Sequence, residues 1–195
     1  MTYNPPKTWI VVPYRPEWPG MFAHEAGLVA RVFHDTDAVV EHIGSTAVPG
    51  LGAKPIIDIM IGLTTLADAE RRIEDLAQID YEYVPEYEAE LPDRRYFRKP
   101  FLRPRSHHLH IVRLGSDFWT RHLLFRDYLR AHPETAAAYY ELKQLLALQC
   151  NATGADYTEG KSPFVAHVLE LASRYVAGTE HYLAKGSLCV LPLMT

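Results

Sequence analysis

The first half of the chain alternates segments that have helical and extended patterns. An amphipathic helix is predicted near the start, because apolar residues recur there at helical spacing: Phe22, Ala26, Val29 and Phe33. A second helix is predicted at about 66–77. Strands are predicted where apolar and β-branched residues cluster between turn-forming residues, at 9–12, 38–43, 55–61, 81–84, 94–98 and 107–114. This order favours a β-sheet with helices packed against it.

The segment 55–61 has the pattern of a central strand that is covered on both sides. Ile57, Ile59 and Ile61 share one face of this strand, and Asp58 lies on the other. Burying a carboxylate without a partner costs several kcal/mol, so an acid at this position needs an explanation. One interpretation is a functional acid, and the other is a structural acid that is paired with an arginine or with backbone amides.

The second half of the chain has the pattern of successive amphipathic helices. Ser162 and Pro163 are the residue types of an N-cap and a first helical position, and they predict that the last helix begins there. We predict one domain over residues 1–178 and a C-terminal appendage over 179–195. The chain is thus predicted to be α/β at the front and helical behind.

Composition narrows the functional classes. The chain has 195 residues, of which 48% are hydrophobic, and a formal net charge of −4. These values favour one globular domain and give no general attraction to nucleic acid. No apolar run reaches the roughly 18 residues of a membrane span, and the start lacks the pattern of a signal peptide. We therefore expect a cytoplasmic protein whose partners include neither bulk nucleic acid nor membrane.

The segment 41–58, EHIGSTAVPGLGAKPIID, has the most informative chemistry. Gly44 and Ser45 follow a predicted strand, and a residue without Cβ beside a hydroxyl donor lets backbone amides approach a phosphate. Asp58, on the next strand, would hold a divalent metal ion that bridges this phosphate. The competing interpretation of the glycine and serine is an ordinary tight turn after a strand.

The same segment resembles the signature of the GrpB family. HIGSTAVPGLGAKPIIDI is similar to that signature, and four further blocks match in the expected order: VVPYRPEWPGMF, HHLHIV, HLLFRDYLRAHPE and YTEGKSPFV. The resemblance covers about residues 9–172. It implies a polymerase-β-like nucleotidyltransferase fold, which is an α+β fold with a mixed sheet, packed helices and a helical C-terminal half. Relatives of this family also occur fused to dephospho-coenzyme A kinase.

The catalytic pattern of that superfamily is only partly present. Its members place Gly-Ser at a strand end, Asp-x-Asp on a neighbouring strand and a third acid on another strand, and these acids hold two metal ions. Gly44, Ser45 and Asp58 match this pattern, whereas Met60 stands where the second acid is expected. The resemblance thus implies a protein that binds a nucleotide or another phosphorylated small molecule. It would transfer a nucleotidyl group with Mg²⁺ or Mn²⁺, and Ser45 and Asp58 would belong to its catalytic site.

His108 and His110 stand in the strand where the third acid is expected, on one face of that strand. Together with Asp58 they predict a metal site, which suits Zn²⁺, Mn²⁺ or Fe²⁺ better than Mg²⁺. Alternatively, His110 is predicted to act as a general base toward an acceptor hydroxyl. Two further functions stay open: a ligand-binding or partner module that has lost catalysis, and a metal-dependent hydrolase built on these three residues.

We predict which residues contact a phosphate from their residue types: glycines, residues with a hydroxyl group, and lysines or arginines. The predicted nucleotide-binding residues are Gly44, Ser45, Thr46, Lys54, Arg95 and Lys161. Lys161 is interpreted as preceding a helix N-terminus, where a phosphate is favoured. Arg95 is interpreted as pointing the same way along its strand as Arg98, so that both would contact an anion. For these cations the competing interpretation is a solvated charge or a surface salt bridge.

Overall fold

A computed structural model describes residues 10–100, 104–153 and 157–184, with side chains over 10–100, 104–150 and 157–175. Its helices are α1 (Trp18–Val32), α2 (Ala67–Glu70), α3 (Ile73–Gln78), α4 (Asp117–Ala131), α5 (Pro133–Thr153) and α6 (Tyr157–Ala184). Its strands are β1 (Val39–Ile43), β2 (Ile57–Leu63), β3 (Glu82–Tyr83), β4 (Arg94–Lys99) and β5 (His107–Arg113). They form a five-stranded sheet in the order β1-β2-β5-β4-β3. Because β2 and β5 are parallel and the other neighbours antiparallel, the sheet is mixed, and the predicted α+β architecture is confirmed.

The position of β2 follows from its isoleucines. Ile57, Ile59 and Ile61 are fully buried in the main core, which also contains residues of α1, α2 and α3. Burial of one such side chain contributes about 2 kcal/mol. A register slip by one residue would exchange these isoleucines with Asp58 and lose that contribution. The hydrophobic pattern of β2 therefore holds Asp58 on the opposite face of the sheet, toward α4–α6.

The prediction of a strand at 9–12 is wrong within the described residues. Val12 makes an isolated antiparallel bridge to Ala53 through backbone hydrogen bonds of 2.9 Å, and no strand includes it. Residue 9 lies outside the described part of the chain. Within the described residues, the N-terminal segment is thus joined to the loop before β2 by a bridge and not by a strand.

The helix predicted at 66–77 is divided into α2 and α3. Arg72 stands at the interruption with a non-helical backbone, φ −112° and ψ 13°. Its Nε donates to the carbonyl oxygen of Val32 at 3.0 Å, and its Nη1 donates to that of Asp68 at 3.1 Å. The arginine thereby ties the break between the two short helices to the end of α1, which is why one amphipathic stripe is not one helix.

The predicted start of the last helix is also wrong. α6 begins at Tyr157, so that Pro163 lies inside the helix instead of at its first position. Ser162 is not an N-cap, because its hydroxyl donates to the carbonyl oxygen of Thr158 one turn earlier, at 3.4 Å. The cap-like dipeptide is therefore part of the second turn of a longer helix.

The other end of α6 lies beyond the predicted domain boundary. The helix continues through residue 178 to Ala184, so a boundary between 178 and 179 falls within it. Residues 185–195 of the predicted appendage lie outside the described part of the chain. Along the helices that the structure describes, none combines the length and the apolar character that crossing a membrane requires.

Candidate functional site

The loop after β1 turns directly against Asp58. β1 ends at Ile43, whose partner across the ladder is Asp58. Gly44 then adopts a φ of +71°, and a 3₁₀ turn follows over Ser45–Ala47. A Cβ on Gly44 would lie 2.4 Å from Oδ2 of Asp58, so only glycine lets the chain turn so close to the carboxylate. The serine-containing turn and the acid consequently share one site.

Replacing Gly44 by alanine should destabilise the fold more than the same change at Gly50. The two residues have similar positive φ angles, +71° and +78°, so alanine has a similar backbone penalty of about 1 kcal/mol at both. A Cβ on Gly50 meets nothing within 4 Å, whereas a Cβ on Gly44 meets the Asp58 carboxylate. In urea unfolding we expect a loss of about 1 kcal/mol for Gly50→Ala and about 3 kcal/mol for Gly44→Ala. Equal losses would contradict this tight contact.

Asp58 is paired with an imidazole. Its Oδ1 lies 3.1 Å from Nδ1 of His108, the residue opposite it in β5. A carboxylate can only accept, so Nδ1 of His108 carries the proton, and in the neutral ring Nε2 has the lone pair. Burial acts to raise the pKa of Asp58, but the hydrogen bond from His108 and the charge of the nearby Lys161 outweigh it and hold this pKa below its ordinary value. Asp58 is therefore ionised at neutral pH, and its partner is a histidine instead of an arginine.

The residues around Asp58 do not provide the donor set of a metal centre. Met60, at the position of the second acid, is fully buried beside Trp119 in an apolar cluster. A thioether does not replace a carboxylate as a ligand of a hard cation. Within the described ranges, no group of three or more His, Cys, Asp or Glu side chains is arranged to hold a metal ion. The predicted set of Asp58, His108 and His110 does not form such a group.

Three lysines line one cavity beside the serine-containing turn, and this cavity is termed the lysine pocket. Lys54 comes from the loop before β2, Lys143 from α5, and Lys161 from α6 rather than from the segment before it. The pocket has a volume of about 220 Å³. Its other polar lining residues include Ser45, Thr46, Asp58, His108 and Thr158. Among the described lining residues, three thus have an amine and one has a carboxylate, in a chain whose net charge is −4.

Lys143 is a functional candidate that the sequence analysis missed. Its side chain is 3% exposed, and its Nζ donates to the carbonyl oxygen of Gly52. The same Nζ lies 4.7 Å from the ring centre of Tyr139. Burial lowers the pKa of Lys143 to about 7, with a contribution from Lys161 in the same direction and one from Asp58 in the opposite direction. A buried amine that is half protonated near neutral pH is suited to take up a proton when an anion binds.

Aromatic rings hold the lysines at the pocket. The ring centre of Tyr157 lies 4.2 Å from Nζ of Lys54 and 4.9 Å from Nζ of Lys161. Tyr139 has the same relation to Lys143. Cation–π attraction offsets part of the repulsion between ammonium groups that share a small volume. The two tyrosines, on α5 and α6, therefore position all three lysines.

The 3₁₀ turn is supported from behind. Arg130 of α4 donates from Nη2 and Nε to the carbonyl oxygen of Ala47, at 2.8 and 3.0 Å. The hydroxyl of Thr46 lies 3.0 Å from Nε2 of His42. Burial lowers the pKa of His42 to about 4, so this ring is neutral at physiological pH. Thr46 and His42 thus stabilise the turn that presents Ser45 to the pocket.

Arg95 is not part of the lysine pocket, so its predicted role is corrected. Its partner across the ladder is Ile111, a residue of the main core, which places Arg95 on the face opposite to Asp58. There its Nη2 pairs with Oε1 of Glu70 at 2.6 Å. Successive strand residues alternate between faces, so Arg95 and Arg98, three apart, point to opposite faces rather than the same one.

His110 lies on the same sheet face as Asp58, but it is not the imidazole that contacts the acid. It stands opposite Met60, one step further along the sheet face than His108. Its Nδ1 lies 3.5 Å from Nη1 of Arg94. Burial lowers the pKa of His110 well below its ordinary value, so the ring is neutral. The general-base role predicted for His110 fits His108 better, because His108 has a carboxylate that orients it.

Comparison with known proteins places this architecture in a family. The family model described as GrpB protein matches residues 8–171. The chain belongs to the GrpB family. The conserved protein GrpB from Enterococcus faecalis has a crystal structure that superposes with a TM-score of 0.77 at 36% identity, over 85% of this chain and 99% of that one. The resemblance to GrpB that the motifs indicated is therefore confirmed in sequence and in fold.

Other GrpB relatives differ in length from this chain. The UPF0157 protein PA4798 of Pseudomonas aeruginosa is 38% identical over 181 residues, which cover 91% of this chain and 72% of that protein. A protein named dephospho-CoA kinase from Mycolicibacterium paratuberculosis is 28% identical over 176 residues, which cover 79% of this chain and 43% of that protein. The second match agrees with the expectation that GrpB-like segments occur within longer kinases.

Proposed function

We propose that this GrpB chain binds a nucleotide or another phosphorylated small molecule in the lysine pocket. The observation that carries the proposal is the convergence of Lys54, Lys143 and Lys161 on one cavity beside Ser45. Phosphate oxygens form their strongest hydrogen bonds with cationic donors, and partial burial strengthens each of them. Burial of the Lys143 amine opposes folding, and a binding role explains why an amine stands there.

The turn beside the lysines adds neutral donors. The first amides of a helical turn have no partner within the turn, and Gly44 has no Cβ that would keep a ligand away from them. Ser45 and Thr46 begin this turn, and both line the lysine pocket. Their amides and the Ser45 hydroxyl would donate to phosphate oxygens that the lysines neutralise.

The lysines, rather than metal ions, would supply the positive charge. A two-metal centre needs several oxygen ligands, whereas Asp58 and His108 offer one carboxylate and one imidazole, and Met60 is buried and apolar. The divalent metal that the resemblance implied does not fit these residues. Binding of the phosphorylated ligand should consequently persist in EDTA.

The Asp58–His108 pair would act as a base toward an acceptor hydroxyl. Asp58 fixes the tautomer in which Nε2 of His108 takes a proton, and the two side chains are 28% and 26% exposed. In nucleotidyl transfer, the acceptor oxygen would bond to the α-phosphorus while its proton passes to His108. Pyrophosphate would leave with the electrons of the broken P–O bond, and the lysines would stabilise its charge.

The buried Met60 favours a second candidate function, a module that binds the ligand without turning it over. Release of pyrophosphate from a nucleoside triphosphate, with water or an alcohol as acceptor, distinguishes the two candidates. Release that depends on His108, and is lost in His108→Gln, supports transfer. Tight binding without such release supports the binding module.

Replacing Lys161 by glutamine should weaken the binding of inorganic triphosphate about tenfold, because one charge-assisted hydrogen bond is lost. The measurement is isothermal titration calorimetry at neutral pH in EDTA. Arg113→Gln is the control, because it removes the same charge from a side chain that is 57% exposed and paired with Asp93. This control should bind triphosphate as the wild type does.

Equal weakening in both variants would mean that net charge, and not the lysine pocket, attracts the ligand. A wild-type chain that binds neither triphosphate nor any nucleoside triphosphate sinks the proposed function.

A further inference from the structure

A second cavity, termed here the histidine cavity, adjoins the lysine pocket. Its volume is about 460 Å³. It shares six lining residues with the lysine pocket: Ser45, Asp58, His108, Tyr139, Thr158 and Lys161. Its remaining wall is largely aromatic and aliphatic, with one charged residue, Arg121, and includes His110, His122, Phe125, Val165 and Leu169. A ligand whose phosphates lie among the lysines would extend its uncharged part into this second space.

His122 offers a hydrogen-bond acceptor to the histidine cavity. Its Nδ1 lies 2.7 Å from the carbonyl oxygen of Phe118, one turn earlier in α4. A carbonyl only accepts, so Nδ1 carries the proton. Burial lowers the pKa of His122, so the ring is neutral and its Nε2 has a lone pair. Nε2 is thus the ring nitrogen that a ligand can use.

His110 offers the complementary donor. Its Nδ1 faces Nη1 of Arg94 at 3.5 Å, the outer limit of a hydrogen bond, and because a guanidinium only donates, this contact favours the tautomer in which Nδ1 is unprotonated. The neutral ring then has its single proton on Nε2. The ring centres of His110 and His122 are 6.4 Å apart. Both rings line the histidine cavity, so in these tautomers one supplies a donor and the other an acceptor for a ligand that reaches their Nε2 atoms.

We infer that the histidine cavity binds a planar heterocycle of the phosphorylated ligand, on whose edge a hydrogen-bond acceptor stands beside a donor. This inference rests on the proposed function, because the phosphates among the lysines position the ring. Nucleobases have such an edge, and sugar phosphates without a ring base do not. Phe125, Val165 and Leu169 would pack against the faces of the ring. A ligand without the heterocycle would leave both imidazoles unpaired and these walls uncovered.

His132 provides a matched control on the same helix. Its Nδ1 lies 2.8 Å from the carbonyl oxygen of Tyr128, and its ring stacks on Tyr128 with centroids 3.9 Å apart. His122 stacks on Phe118 at the same centroid distance, 3.9 Å. His132 is not among the residues that line the histidine cavity. Phenylalanine at either position keeps an aromatic ring and removes the ring nitrogens.

The test compares dissociation constants of the full chain for inorganic triphosphate and for the four ribonucleoside triphosphates, in EDTA. We expect wild type to bind at least one nucleoside triphosphate about tenfold more tightly than inorganic triphosphate. His122→Phe should reduce this preference about tenfold and leave the affinity for inorganic triphosphate unchanged. His132→Phe should change neither value, and circular dichroism establishes that both variants are folded.

The outcomes separate this inference from the proposed function. Equal wild-type affinity for inorganic triphosphate and every nucleoside triphosphate overturns the heterocycle site and leaves the lysine pocket intact. A preference that survives in His122→Phe, or that is lost equally in His132→Phe, also overturns it. A wild type that binds neither inorganic triphosphate nor any nucleoside triphosphate overturns the proposed function itself.

Discussion

Replacing Lys143 by methionine should abolish measurable triphosphate binding and make the protein more stable. Methionine is an unbranched apolar side chain of similar length, so the change removes the amine without opening a large cavity. Burial lowers the pKa of Lys143 to about 7, whereas a lysine in the unfolded chain titrates near about 10.4. At pH 7 the unfolded chain therefore binds this proton more strongly than the folded chain, and the difference opposes folding by up to about 4 kcal/mol.

The net gain in Lys143→Met is smaller, because the carbonyl oxygen of Gly52 loses its donor, at about 1–2 kcal/mol. We expect about 2 kcal/mol of added stability, or roughly 6 °C in Tm, by calorimetry. Lys99→Met is the control, because we expect the same substitution to lower the stability there instead of raising it. Lys99 pairs at 3.0 Å with Glu25, which is almost fully buried, so that variant should lose about 3 kcal/mol. If Lys143→Met bound triphosphate as tightly as the wild type does, Lys143 would not be a binding residue.

The affinity of wild type for triphosphate should fall about 20-fold between about pH 7.5 and 9. A bound phosphate favours protonated Lys143, so binding takes up a proton, and the protonated fraction declines about tenfold per pH unit above the pKa of about 7. Any further ionisation of the triphosphate in this range adds negative charge, which would strengthen its attraction to the lysines, so the ligand does not cause the fall. His110 and His122 stay neutral, because burial holds the pKa of each below its ordinary value. Calorimetric titration in a series of buffers gives both the affinity and the proton uptake.

Lys143→Arg is the matched control for the pH dependence, because arginine keeps its charge over the whole range. Its affinity for triphosphate should change little between the two pH values, and a slope as steep as that of wild type would assign the titration to another group. Stability has the opposite pH dependence. The penalty of the lowered pKa is fully present below about pH 7 and is relieved as the pH rises toward 10, so the unfolding free energy of wild type should increase over this range.

The positions of Gly44, Ser45 and Asp58 were predictable from the sequence, because each depends on residues that are close to it along the chain. Alternation along β2 predicts its central position and the face on which Asp58 lies, since each depends on neighbours two residues away. The motif that contains Gly44 and Ser45 predicts the turn, and the backbone at Gly44 shows why glycine is needed there. The prediction for Arg95 was wrong because it placed Arg95 and Arg98 on one face, although residues three apart in a strand point to opposite faces.

Lys143 was not predictable from the motif, because its role arises from Asp58 and Gly52, which are far from it in sequence. A signal was nevertheless present in α5. The residues buried along that helix recur at spacings of three and four: Ala136, Tyr139, Lys143, Ala147 and Cys150. A lysine within an apolar stripe is unusual, since lysine is almost never fully buried without a partner. This pattern would have singled out Lys143 as a buried amine.

The start of α6 was predicted wrongly because packing overrides local capping preferences there. Tyr157, the first residue of the helix, is 2% exposed and packs with Ala147 and Cys150 of α5. This contact begins the helix six residues before Pro163. The earlier start brings Lys161 into the helix, where it lines the lysine pocket.

The lysine pocket takes its walls from two separate parts of the chain. Lys54 and Asp58 belong to β2 and the loop before it, whereas Lys143 and Lys161 belong to the two C-terminal helices. Amines thus stand on both sides of the boundary between the sheet and the C-terminal helices. A bound polyphosphate would contact amines from both parts, and the free energy of this binding would oppose separation of the helices from the sheet.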